Sequence, residues 1–93
     1  MERWLFDFLG CCNRKAATEA FVQAVNGTGI SDESGREIEV WACIEVHETG
    51  KIVVGHHETD LTALEVHELV DDWLNEVYVE CCRAFDGMGR QVE

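Results

Sequence analysis

Ninety-three residues, 46 % of them hydrophobic, with no proline and a formal net charge of −12, describe one small acidic domain over residues 1–93 that is too apolar and too patterned to be disordered. The charge is lopsided: from Glu37 to Glu80 twelve Asp and Glu face a single base, Lys51, so no basic patch is available to hold DNA or RNA and the complementary partner is a basic protein surface. A chain of this size buries only roughly 60–65 % of its unfolded surface, so a dimer mate or a bound partner would add to its stability.

The N-terminal run Trp4-Leu5-Phe6-Asp7-Phe8-Leu9 is apolar. It falls far short of the ~20 residues of a membrane span and lacks the basic start of a signal peptide, which predicts a cytosolic chain with no membrane contact. Met1 to Leu9 reads as a short helical or extended segment packed on the core, with Trp4, Leu5, Phe8 and Leu9 sharing one face. Residues 14–26 are rich in helix formers and carry Ala17, Phe21, Ala24 and Val25 on one stripe, and Asn26-Gly27-Thr28-Gly29 supplies the stop.

After a polar turn from Ser31 to Arg36 the period changes to two, which predicts a strand over residues 37–47 with Ile38, Val40, Ala42, Ile44 and Val46 on the buried face. Glu37, Glu39, Trp41, Cys43, Glu45 and His47 then take the other face. A second strand over 51–57 completes an antiparallel hairpin. A three-residue loop Glu48-Thr49-Gly50 sets His47 opposite Lys51 and Val46 opposite Ile52 and puts Ile52 and Val54 on the same face as Val46 and Ile44, whereas a two-residue Thr49-Gly50 loop would bury Val53 and expose Ile52 and Val54. Leu61-Thr62-Ala63-Leu64-Glu65-Val66 is a complete helix start, with Thr62 as N-cap, Glu65 reaching back to it and Leu61 stapled to Val66. The helix runs over residues 63–85, with Val66, Val70, Trp73, Val77, Cys81 and Ala84 as its stripe, Leu69 and Leu74 widening it, and Gly87 and Gly89 ending it. The fold expected is α+β: a hairpin packed by the long C-terminal helix and by the N-terminal helix, with at least one strand edge paired or covered.

On the polar side of the long helix, Glu65, Glu68, Asp72 and Glu76 are three, four and four residues apart, a line of carboxylates at steps of ~4.5–6 Å. Phosphates along one nucleic-acid strand are spaced only slightly wider. Such a row, joined by Asp71 and by Glu37, Glu39 and Glu45 of the sheet, imitates a phosphate backbone. Like charges at these spacings cost a few tenths of a kcal/mol per pair, and an ordinary solvated helix offsets them with Lys or Arg, of which Glu65 to Glu80 has none. Trp41, among carboxylates, is a candidate anchor for a basic partner, unless the N-terminal segment with Trp4 and Phe8 covers it.

Chemical readings are weaker. His47, His56, His57 and His67 lie near Glu48, Glu58, Glu68 and Asp71, which is metal-ligand chemistry, but His67-Glu68-Leu69-Val70-Asp71 has Asp where the zinc-protease helix has its second His. The adjacent pairs Cys11-Cys12 and Cys81-Cys82 lack the spacing of a structural zinc site, and without a basic cluster nearby they make a poor palmitoylation signal. Cys43 and His47 are ~13 Å apart along one strand, too far for a nucleophile and its base. No catalytic residue, cofactor or metal is therefore assigned.

In size, acidity and helix–hairpin organisation the chain resembles the small acidic anti-defence inhibitors of phages, the anti-CRISPR and anti-restriction proteins. The resemblance rests on character and on no motif. It implies a non-enzymatic inhibitor that occludes the nucleic-acid-binding surface of a defence enzyme, with Glu37, Glu39, Trp41, Glu45, Glu65, Glu68, Asp71, Asp72 and Glu76 meeting its Lys and Arg. Two other readings stay open: an adaptor homodimer whose acidic half only solubilises it, and a metal-binding protein using His, Glu and Asp.

Overall fold

The computed structural model describes residues 3–11 and 13–89, with side chains of 86–89 left aside. Strand β1 (Trp4–Phe6) is followed by α1 (Arg14–Val25), β2 (Gly29–Ser31), β3 (Glu37–Val46), β4 (Lys51–His56) and α2 (Ala63–Gly89). All strand pairs are antiparallel, in the order β1-β4-β3-β2, and the predicted α+β hairpin-and-two-helix architecture is present. Both edges of the predicted hairpin are thus flanked by a short extra strand.

Alternation decides what lies under the helices. Ile38, Val40 and Ala42 of β3 and Ile52 and Val54 of β4 share one core with Ala17, Phe21 and Val25 of α1 and Val66, Val70 and Leu74 of α2. The helices therefore cover one face of the sheet, the inner face. Asn13 caps α1 by accepting the Ala16 N–H at 3.2 Å, and at its far end the Asn26 side chain accepts the Ala42 N–H at 3.2 Å, fastening the helix end to β3. Gly27, at φ +80°, makes the turn that lets its own N–H reach Val40 O at 2.9 Å. Ala24, placed on the buried stripe by its spacing, is exposed, and Thr18 is buried instead.

The start of α2 is as read from sequence. Thr62 N–H donates to Glu65 Oε1 at 2.9 Å and Glu65 N–H donates to Thr62 Oγ1 at 3.2 Å. Its end differs. The helix runs through Gly87 to Gly89, four residues beyond the predicted Phe85, and Ala84 is exposed. Glycine costs helix about 1 kcal/mol relative to alanine without forbidding it.

The hairpin register also departs from the prediction. Val46 pairs with Lys51 and Ile44 with Ile52, with a bulge at Glu45. The loop is therefore the four residues His47 to Gly50. The extra residue leaves Ile44, Ile52 and Val54 on the inner face as expected, but it turns Val46 to the side of Lys51. His47 comes instead to the α1 side, beside Lys15, Thr18, Glu19 and Ile44.

The N-terminal segment is extended, not helical. Trp4 pairs with Val54 and Phe6 with Ile52, so Trp4, Phe6 and Phe8 turn inward and Leu5 and Leu9 outward, which separates the four residues expected to share a face. Phe6 and Phe8 meet Phe21 of α1 at ring-centroid distances of 5.3 and 5.7 Å and Tyr78 of α2 at 4.7 and 5.1 Å. The Tyr78 hydroxyl donates to Asp7 O at 2.6 Å.

Burial, and then the hydrogen bond with Cys82, push the Tyr78 phenol from an ordinary 10.0 up to about 12. It is the only tyrosine, so an alkaline titration of tyrosinate absorbance reads it alone. The expected midpoint is near pH 12. Because the folded value is the higher one, this contribution to stability is complete below pH 10 and is lost as pH rises from about 10 to 12. A midpoint at 10 in the folded protein would mean that the hydroxyl is free in solvent.

Candidate protein-binding surfaces

The helix row begins with a residue committed to the fold. Glu65 closes the capping box, and its Oε2 lies 3.6 Å from an Arg36 nitrogen. Its hydrogen bonds with Thr62, then the Arg36 charge, hold its carboxyl below the usual range. Arg36 in turn bonds Asp32 through Nε at 2.7 Å and a terminal nitrogen at 2.6 Å. The Ser34 hydroxyl at 2.8 Å, and then Arg36, hold the Asp32 carboxyl at about 2. Asp32, Arg36 and Glu65 thus tie the β2–β3 turn to the head of α2.

Asp71 is also engaged. Its Oδ1 accepts the Trp4 indole N–H at 3.2 Å, and its Oδ2 lies 3.8 Å from His67 Nε2. It anchors the N-terminal strand to α2 and is half-buried. Glu68, Asp72 and Glu76, by contrast, are exposed, and Glu80, which the spacing argument left out, continues them. Each of these four stands four residues after the last, so the line spans ~18 Å along the helix. Among the described residues none of the four forms a hydrogen bond or an ion pair. Glu80 was recognisable in sequence, because extending the four-residue step once more reaches it.

Glu37, Glu39, Trp41 and Glu45 lie on the outer face of the sheet, away from both helices. The fold does not bring them together with the helix row. The two acidic surfaces are on opposite sides of a two-layer molecule, because β3 alternates and its other set of residues fills the core under α2. On the outer face, Glu39 lies 3.8 Å from His57 Nε2 and Glu45 3.2 Å from Lys51 Nζ. Trp41 is half-buried, although Trp4 and Phe8 are on the inner face and cannot cover it.

The histidines have separate neighbours: His56 is buried with Nδ1 2.8 Å from His57 O, His57 meets Glu39, and His67 meets Asp71. Among the described residues no group of three or more His, Cys, Asp or Glu is placed to hold a metal. Of the two adjacent cysteine pairs, Cys11 is buried, Cys81 and Cys82 are half-buried on α2 and Cys12 lies outside the described residues, while Cys43 is exposed on the outer face. Among the described residues no helix is long and apolar enough to cross a membrane.

No known protein family, curated protein or solved structure matches this chain.

Proposed function

We propose that this chain is an inhibitory binding protein whose α2 row, Glu68, Asp72, Glu76 and Glu80, occupies the phosphate-binding groove of a nucleic-acid enzyme, as in the phage anti-defence proteins it resembles. The observation that carries the reading is the row itself. Four carboxylates in one line, none of them in an ion pair among the described residues although Arg36 lies near Glu68 and Arg83 beside Glu80, keep much of their attraction for a partner's Lys and Arg. Leaving them unpaired costs the isolated helix a few tenths of a kcal/mol per neighbouring pair, a cost that a basic partner reverses.

Replacing all four with lysine tests this, and Glu65 is left in place to keep the capping box. In affinity capture from nuclease-treated lysate, the native chain is expected to retain a nucleic-acid-binding enzyme that the variant does not. Added duplex DNA should displace it. Affinity should fall by at least about tenfold as salt is raised well above 0.15 M, since the attraction is screened over ~8–10 Å. Identical partners on both chains, or a complex indifferent to DNA and salt, would remove the mimicry reading.

A further inference from the structure

The outer sheet face has an apolar centre that no element of the fold covers. Leu5, Val53 and Cys43 stand side by side across β1, β4 and β3, and Trp41 stands next to them opposite Gly55. Val53 is only 7 % exposed yet belongs to no part of the helix-side core, while Leu5 is 62 % exposed. Leu5 and Cys43 are exposed and Trp41 half-buried above a buried Val53, and exposed apolar groups in one rimmed patch mark a contact surface.

The seat of Trp41 defines what that surface offers. A Cβ built on Gly55 would fall 2.3, 2.7 and 2.9 Å from Cζ2, Cε2 and Cη2 of the indole, so the six-membered ring lies across the glycine and presses one side onto the strand. Trp41 as a whole is half-buried, so part of the indole remains accessible. Glu39 stands two residues before Trp41 on the same face, ~7 Å away, and Glu37 and Glu45 lie beyond it along β3. The cations of this face are at its margins: Lys51 is tied to Glu45, His57 faces Glu39, and the exposed Arg3 precedes β1.

We propose that this face is a docking site for an arginine of a protein partner, its guanidinium stacked on the accessible part of Trp41 and bonded to the Glu39 carboxylate, its aliphatic stem against Leu5. A flat, weakly hydrated cation suits both an aromatic ring and a carboxylate fork, which an ammonium does not. A second copy of this chain is the poorer occupant, because it would bring Glu37, Glu39 and Glu45 and a net charge of −12 against their equals. This site is on the opposite side from the α2 row and does not depend on it.

An Arg-Gly repeat peptide and its Lys-Gly counterpart, titrated into isotope-labelled protein and followed by the indole N–H signals of the three tryptophans, test the assignment. The arginine peptide is expected to move Trp41 and the β3 amides and to bind about three- to fivefold more tightly than the lysine peptide. Trp41→Leu and Glu39→Gln should each weaken it by about three- to tenfold. Gly55→Ala, which lifts the ring from its seat, should do the same while circular dichroism stays unchanged. The four-lysine variant of α2 should leave the Trp41 response in place. Equal binding of both peptides, movement confined to α2 amides, or Trp41 signals that shift with protein concentration alone would each overturn the proposal, the last by showing a second copy on this face.

Discussion

Phe21→Ala is expected to lower the stability of this protein by about 3–5 kcal/mol, the range for truncating a fully buried phenylalanine. The ring is 0 % exposed and stands within 5.3–6.1 Å, centroid to centroid, of Phe6, Phe8 and Tyr78. It is the point at which the N-terminal segment, α1 and α2 meet. A domain of 93 residues has roughly 5–14 kcal/mol in total, so the loss takes about a fifth or more of what is available. Urea unfolding should show a much lower midpoint with little change in slope. The same variant opens space beside Tyr78, so the phenol should titrate below about 12, back toward 10. A loss under ~1 kcal/mol with Tyr78 unmoved would mean that β1 and α2 hold together without this ring.

The parts of the fold that were legible in sequence are those whose signal is local and repeated. The capping box at Thr62 and Glu65 needs only four residues, and the alternation of β3 reports its inner face four times over, at Ile38, Val40, Ala42 and Ile44. β1 and β2, at three residues each, are too short for a period to show. Trp4 and Phe8 illustrate the ambiguity: a separation of four suits one face of a helix and also one face of a strand, and only Phe6, turned to the same side, separates the two. The bulge at Glu45 was invisible because it keeps Ile44, Ile52 and Val54 on one face, as the unbulged register also does, while moving Val46 and His47 to the opposite sides.

The surfaces follow the same division. The line Glu68, Asp72 and Glu76 is a property of one helix and was readable. That Asp71 belongs to Trp4 depends on a contact between residues 67 apart in sequence, and that Glu39 and Glu68 face opposite ways depends on which side of the sheet the helices take. Acidity was therefore readable as an amount but not as a geometry. Two separated surfaces, one a row of carboxylates and the other an aromatic set among charges, would on the proposals above select partners by different physics. The first should be strongly salt-dependent; the second should retain a stacking contribution when salt is high.

The second large expected effect is at Gly50, and its size comes from comparison with Gly35. Both glycines are in the left-handed region, at φ +70° and +90°, where an L side chain costs about 1–2 kcal/mol. Around Gly35 a Cβ meets nothing within 4 Å, so Gly35→Ala should cost that conformational strain and no more. At Gly50 the added Cβ would lie 2.8 Å from Thr18 Oγ1 and 3.3 Å from Phe8 Cβ. Neither neighbour yields easily: Phe8 is 1 % exposed within the aromatic cluster, and the Thr18 hydroxyl is committed to Arg14 O at 2.6 Å. Breaking that bond leaves a buried hydroxyl unsatisfied, at about 1–3 kcal/mol. Gly50→Ala should therefore cost about 2–5 kcal/mol, and the excess over Gly35→Ala in paired urea unfolding curves isolates the contact from the strain. Adding Thr18→Ala removes the obstructing hydroxyl, so the double variant should lose less than the sum of the two single losses. Equal costs at Gly50 and Gly35 would show that the β3–β4 loop does not press on α1 at all.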